Sequence, residues 1–219
     1  MTQQTGMLVS DEAFEYLRIQ KGSLDRFASQ RKLWEKAYRS DLETTYNEIR
    51  PFLPAVCWGL LDIGSGLGGI DVLLSRHYAQ VQGRPPFVNL LDGEADAPVM
   101  RVHRETFNDM RVARNFLTAN GIKPEHFDYY TPTAFNLPKP YDLVVSFGSW
   151  CFHYPPDVYL PLLLSGGGLH ADSVLIVDVR NEALEYAQQL SERMRIAGVI
   201  RQARKYTRLA YKLKKQAAE

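Results

Sequence analysis

The sequence is short of most features that would place it in a special class. It has two cysteines in 219 residues, Cys57 and Cys151. Two thiols cannot build a disulfide framework, and their scarcity fits a reducing compartment. No apolar run approaches the ~20 residues needed to span a bilayer, so no membrane association is expected. Neither sign of charge dominates: 26 Lys and Arg against 25 Asp and Glu leave a net charge of +1. No global field therefore attracts nucleic acid or an acidic surface. The opening residues, MTQQTGMLVSDEAFEYL, have neither the basic nor the apolar region of a signal peptide. Repeats and low-complexity segments are missing too. The spacing of Cys57, Cys151, His153 and His170 matches no metal-ligand pattern, so no metal is expected. A cytoplasmic protein is the expectation. The length and the 45% apolar fraction suffice for one full domain with a small appendage.

What stands out is Leu60 to Leu74, LLDIGSGLGGIDVLL. A short apolar run breaks at Asp62, a cluster of glycines follows, and an apolar pattern of helical spacing resumes at Ile70. This is the signature of a strand, a tight turn and a helix. Glycines let the backbone approach a ligand, and the helix start offers unpaired N–H groups. Gly64, Gly66 and Gly69 satisfy G-x-G-x-x-G, with Asp92 a little over twenty residues on, which also fits a dinucleotide fingerprint. Asp62 turns the choice. A carboxylate at the mouth of the strand repels a pyrophosphate and suits a cation or an amine.

Before this stretch, residues 1 to about 9 look disordered. Ser10, Asp11 and Glu12 start a helix that ends at Gly22. A longer helix is expected from Leu24 to Arg50, stopped by Pro51 and Pro54. Residues 1–54 thus form a helical extension, either a solvated one packed on the main domain or a cap over an active site, and residues 55–219 form the main domain. There the expected strands are Val56–Ile63, Val88–Leu91, Phe127–Tyr130, Tyr141–Phe147, Ser173–Val179, Gly198–Arg201 and Tyr206–Leu213. Helices fall between them at Gly69–Tyr78, Phe107–Leu117, Val158–Leu164 and Asn181 to about Ile196. Alternating strands and helices imply an α/β fold with a parallel sheet. The last two strands are close enough for an antiparallel hairpin.

From Val56 to Leu213 the chain resembles the class I S-adenosylmethionine-dependent methyltransferases, with LLDIGSGLGG looking like their first motif. The resemblance implies a doubly wound, seven-stranded, mostly parallel sheet with an antiparallel C-terminal hairpin, and S-adenosyl-L-methionine as cofactor. Asp62 would hold the methionine amino group through water. Gly64, Ser65, Gly66 and Gly68 would approach the methionine and ribose, and Asp92 with Gly93 would hold the ribose hydroxyls. A carboxylate can accept from both vicinal hydroxyls. The family often carries an Asp-Ala pair before Leu-Pro at the adenine. Here Thr133, Ala134 and Phe135 stand in that stretch, with threonine in the place of the acid. Phe147 and Gly148, after the fourth strand, would line the cofactor.

The residues after the fourth strand carry the acceptor side. Methyl transfer from a sulfonium is an in-line displacement, so alignment and water exclusion matter most. A hydroxyl acceptor also needs a group to take its proton. His153 is the first candidate, since a neutral imidazole accepts a proton at cellular pH; the alternative is a histidine packed in a loop. Asp178 is the second candidate. Trp150, Phe152 and Tyr154 suit a stacking wall, and Arg180 suits a substrate contact or a structural pair. Basic residues from Arg193 to Lys215 alternate with Tyr206, Leu209, Tyr211 and Leu213. They read either as a blunted edge strand or as a patch for phosphate-bearing substrates. The expected activity is O-methylation of a small, sugar-like or other polar metabolite. The alternatives are nucleic-acid or nucleotide methylation, and a cofactor-binding scaffold without catalysis. Asp62 and Asp92 could also be a structural cap and a plain turn.

Overall fold

A computed structural model of the protein describes residues 6–20, 31–93, 109–132, 134, 140–165 and 167–214. The elements run α1 (Asp11–Gln20), α2 (Arg31–Ile49), β1 (Gly59–Ile63), α3 (Gly69–Gln82), β2 (Phe87–Leu91), α4 (Met110–Ala119), β3 (Phe127–Tyr130) and β4 (Tyr141–Ser146). They continue with β5 (Ser149–Tyr154), α5 (Leu160–Ser165), β6 (Leu169–Arg180), α6 (Leu184–Arg193), β7 (Met194–Gln202) and β8 (Tyr206–Leu213). Seven strands form one sheet in the order β3-β2-β1-β4-β6-β8-β7. The pairs among β1, β2, β3, β4 and β6 are parallel, while β8 runs antiparallel to β6 and β7 antiparallel to β8. The strand β5 lies outside that order and packs against β6.

Period-two alternation in the strands creates two cores. Leu60, Val88, Leu90, Leu143 and Val145 face α1 to α4. Leu61, Ile63, Leu91, Val144 and Leu175 face α5, α6 and β5. The order reverses between β1 and β4, and in open α/β sheets the crevice at such a switch point, beyond the strand C-termini, takes the ligand. Ser146 fixes that edge: its hydroxyl donates to Ile63 O at 2.7 Å and accepts from Trp150 N at 2.9 Å.

The N-terminal segment departs from the sequence expectation. Residues 6–9 are ordered, with Met7 and Val9 buried. Asn120, the cap of α4, accounts for this: its side chain accepts from Leu8 N at 2.7 Å and donates to Leu8 O at 2.9 Å. Ser10 Oγ accepts from Ala13 N, as a helix cap should. Phe14 meets Trp34 edge-on at 5.2 Å, and Trp34 stacks on Tyr38 at 5.5 Å. Such aromatic pairs contribute about 1 kcal/mol each beyond their burial. These helices share the core of α3 and α4. The expected start of the second helix, residues 24–30, lies outside the described residues.

Other boundaries moved for identifiable reasons. The first strand begins at Gly59; ahead of it Cys57 N donates to Gln82 Oε1, and Asp142 Oδ2 accepts from both Trp58 N and Gly59 N. Asp109 caps α4 by accepting from Arg111 N and Val112 N, so the helix starts at Met110; Phe107 lies outside the described residues. The expected loop after the fourth strand is instead β5. The expected helix to Ile196 stops at Arg193, where β7 takes over.

Candidate cofactor and acceptor site

The glycine turn leaves β1 at the switch point. Gly64 adopts φ +79° and donates to Leu91 O at 2.6 Å, tying the ends of β1 and β2. A side chain here would be strained and would also overlap Ser149, whose hydroxyl lies against this glycine. Gly68, at φ +74°, is hemmed in similarly: a Cβ would lie 2.9 Å from Leu117 Cδ2, 3.0 Å from Leu90 Cδ2 and 3.2 Å from Asp71 Oδ2. Helix α3 starts immediately after, so its free N–H groups open on the turn. Tyr38 and Leu42 of α2 close over Gly69, which brings the N-terminal helices onto this turn.

Three carboxylates converge here. Asp92, at the end of β2, accepts from Gly66 N at 2.6 Å and from Gly93 N at 2.8 Å. Burial pushes its pKa up to about 6 against those two donors. Asp62 is 3% exposed. Burial raises its pKa well above the carboxylate range, with Asp71 and then Asp92 adding to the effect. Asp71, in the first turn of α3, is fully buried and also raised by burial. Sequence reading missed Asp71, since an acid in the first turn of a helix is ordinary. Among the described residues, no ion pair reaches any of the three acids. Ser65 Oγ is likewise buried without a partner.

This arrangement fits S-adenosylmethionine in its chemistry. The cofactor carries a sulfonium and an ammonium, vicinal hydroxyls and no phosphate. Among the described residues no cation pairs with the acids and Ser65 Oγ has no partner, and a side chain at Gly64, Gly68 or Gly69 would collide with its neighbours. Thr133 and Phe135 lie outside the described residues. Ala134 is exposed, with its N–H donating to Thr131 O at 3.1 Å.

On the acceptor side the structure separates the expected residues. Phe147 is half-buried beneath the Arg208 guanidinium, 4.4 Å from its ring centroid, and Gly148 follows at φ +66°. Phe152 and Tyr154 are half-buried, and His153 between them is exposed. The partly buried ring of His153 and the charge of Arg180 lower its pKa from the ordinary value, so it is neutral at pH 7. Arg180 stacks over Phe152 at 5.7 Å and pairs with Glu182 at 2.9 Å. Trp150 leaves the expected wall: it is fully buried, and its indole N–H donates to Pro155 O. A side chain without exposed surface cannot meet a substrate. Asp178 is not a free base either. Both its oxygens accept from Arg208, at 2.7 and 3.0 Å, in a buried pair that Glu48 of α2 extends. Burial raises the pKa of Asp178, and the Arg208 hydrogen bond pulls it back.

Sequence reading also missed Ser149, Tyr16 and Tyr159. The phenols of Tyr16, Tyr154 and Tyr159 all lie within electrostatic reach of Asp92. Burial is the main cause of their raised pKa values, and Tyr159 is pushed up to about 12. Only the fold brings α1 and β5 to the same acid.

No protein-family model and no curated protein matches the sequence. Solved structures do. The chain is similar to the PH0226 protein of Pyrococcus horikoshii OT3, with 15% identity and a TM-score of 0.59 over 91% of this chain and 99% of that one. It is also similar to StiE O-MT residues 961–1257, with 12% identity and a TM-score of 0.60 over 91% and 81%. The M1A22 tRNA methyltransferase TrmK of B. subtilis aligns with 14% identity and a TM-score of 0.50, over 79% of this chain and 65% of that one. The fold is the class I methyltransferase fold. The strand order, the parallel switch point at β1 and β4, and the antiparallel C-terminal hairpin all agree with it. Among the described residues, no helix is long and apolar enough to cross a membrane, and no group of three or more His, Cys, Asp or Glu has metal-binding geometry.

Proposed function

We propose that the protein is an S-adenosylmethionine-dependent methyltransferase that acts on a hydroxyl of a small polar, sugar-like or related metabolite. The observation that carries this reading is the meeting of three carboxylates, with no cation among the described residues paired to them, around a glycine turn at the switch point of this fold. When bound, the cofactor supplies an activated methyl group on a sulfonium, with a neutral thioether as leaving group. Asp62 compensates its ammonium. Asp92, held open by Gly66 and Gly93, accepts from the ribose hydroxyls. Phe152 and Tyr154 line the acceptor space and help to exclude water. His153, neutral and exposed beside them, takes the acceptor proton at its unprotonated ring nitrogen. The helical extension brings the buried Tyr16 within electrostatic reach of Asp92, which supports its role as a cap.

Calorimetry with S-adenosylhomocysteine tests the cofactor half of this reading. Wild type should bind, and Asp92→Ala should bind at least about tenfold more weakly, given ~1.5–3 kcal/mol for hydrogen bonds to a charged group. Equal affinity would overturn the ribose assignment. Transfer of labelled methyl from S-adenosylmethionine to a panel of hydroxylated metabolites tests the acceptor.

Nucleic-acid methylation is the second reading, favoured by one cluster. Asn181 donates to Ala203 O and Arg204 O, which holds Arg204 and Lys205 beside Arg180 and the half-buried Phe152–Tyr206 pair. Stacking rings among cations suit exposed bases and phosphates. Binding of a single-stranded RNA that falls steeply with added salt would support it.

A further inference from the structure

The carboxylates of Asp62 and Asp71 lie together behind the glycine turn. Asp71 Oδ2 points toward Gly68, 3.2 Å from where a Cβ on that glycine would stand. Both Asp71 oxygens are buried and receive no hydrogen bond from the N–H or hydroxyl of any other described residue. Two facing carboxylates in a medium of low dielectric cannot both stay ionised without a cation. A single proton resolves the conflict, because one carboxyl then donates to the other. Burial and mutual repulsion both favour that proton. The other groups facing the pair do not remove it. Asp92, at the end of β2, adds negative charge, and the Tyr38 phenol of α2 stays neutral because burial raises its pKa.

We propose that Asp71 is a positioning residue for the cofactor's ammonium. Without ligand, Asp62 and Asp71 hold one proton between them. An α-ammonium docking against Asp62 displaces that proton to water, leaving two carboxylates opposite one cation. One O–H bond breaks, the proton goes to buffer, and nothing is oxidised or reduced. Asp71 does not touch the ligand. It sets the charge of Asp62 and holds its orientation. This inference rests on the cofactor reading above.

The test compares two ligands that share the adenosine but not the amino-acid moiety, S-adenosylhomocysteine and 5′-methylthioadenosine. Calorimetry in buffers of different ionisation enthalpy counts protons. S-adenosylhomocysteine should release about one more proton per site than 5′-methylthioadenosine near pH 7, and its relative affinity should rise toward about tenfold per pH unit below the pair's titration. Asp92 meets the ribose of both ligands, so its contribution cancels. Asp71→Asn keeps the size and a donor toward Asp62. It should abolish the difference in proton release and flatten the pH profile, with 5′-methylthioadenosine affinity unchanged. A purely structural role would weaken both ligands alike and leave the proton count in place. Equal proton release by the two ligands with wild type overturns the inference and spares the cofactor reading. Failure of both to bind overturns the two together. If Asp71→Asn does not fold, the wild-type comparison alone decides.

Discussion

Replacing Asp92 with Asn should stabilise the fold at neutral pH relative to pH 5 while crippling cofactor binding. The folded protein holds this carboxyl at about 6 against an ordinary 3.8. The folded state therefore binds the proton more tightly than the unfolded chain. Its contribution is most favourable at low pH and is lost as pH rises from about 4 through 6. At about 1.36 kcal/mol per pKa unit, the linkage between pH 5 and pH 7.5 amounts to about 1.4 kcal/mol. Asp92 is only half-buried, so solvent screening trims this to about 1 kcal/mol. An asparagine carries no charge at either pH, and it can accept from Gly66 or Gly93 but not both. The lost hydrogen bond costs about 1 kcal/mol, independent of pH. Variant and parent should thus differ little at pH 7.5, while at pH 5 the variant is about 1 kcal/mol worse. Urea denaturation at the two pH values measures this. A stability difference that stays constant with pH, or moves the other way, would refute the account of Asp92 as a half-buried, under-compensated carboxylate.

Other substitutions separate the parts of the site. His153→Gln should lower turnover by about 10²-fold or more, the usual contribution of a general base, while leaving the S-adenosylhomocysteine affinity unchanged; unaltered turnover removes His153 as the proton acceptor. Gly64→Ala, at φ +79° and in collision with Ser149, should cost about 1–3 kcal/mol in urea unfolding and loosen cofactor binding; a neutral effect would show that the turn relaxes freely. Arg208→Met strands the buried Asp178 carboxylate and should cost about 3–5 kcal/mol; if Asp178→Leu combined with it recovers none of that loss, the ion-pair account fails. Trp34→Ala should cost about 3–5 kcal/mol and lower the whole unfolding transition, since the N-terminal helices share the main core; a separate early transition would mean they fold independently.

The sequence carried the fold further than the site, and the reason is the range of the forces involved. Strands β3 and β8 emerged with their observed bounds because alternation and turn residues are local signals. The glycine turn was legible because positive φ demands a particular residue type. The burial of Met7 and Val9 was not legible, since it depends on Asn120 more than a hundred positions away. Trp150 and Asp178 misled for the same reason. An aromatic and an acid beside a binding face suggest contact with substrate, yet one is fully buried and the other is saturated by Arg208. Asp71 shows the converse. Nine residues after Asp62 it passes for a helix-capping acid, and only a chain that reverses through the glycine turn brings the two carboxylates together. The chemistry of the site therefore lies less in either motif acid alone than in that reversal. The same turn that leaves helix N–H groups open also brings two acids into one buried space, where a proton or a cation must join them.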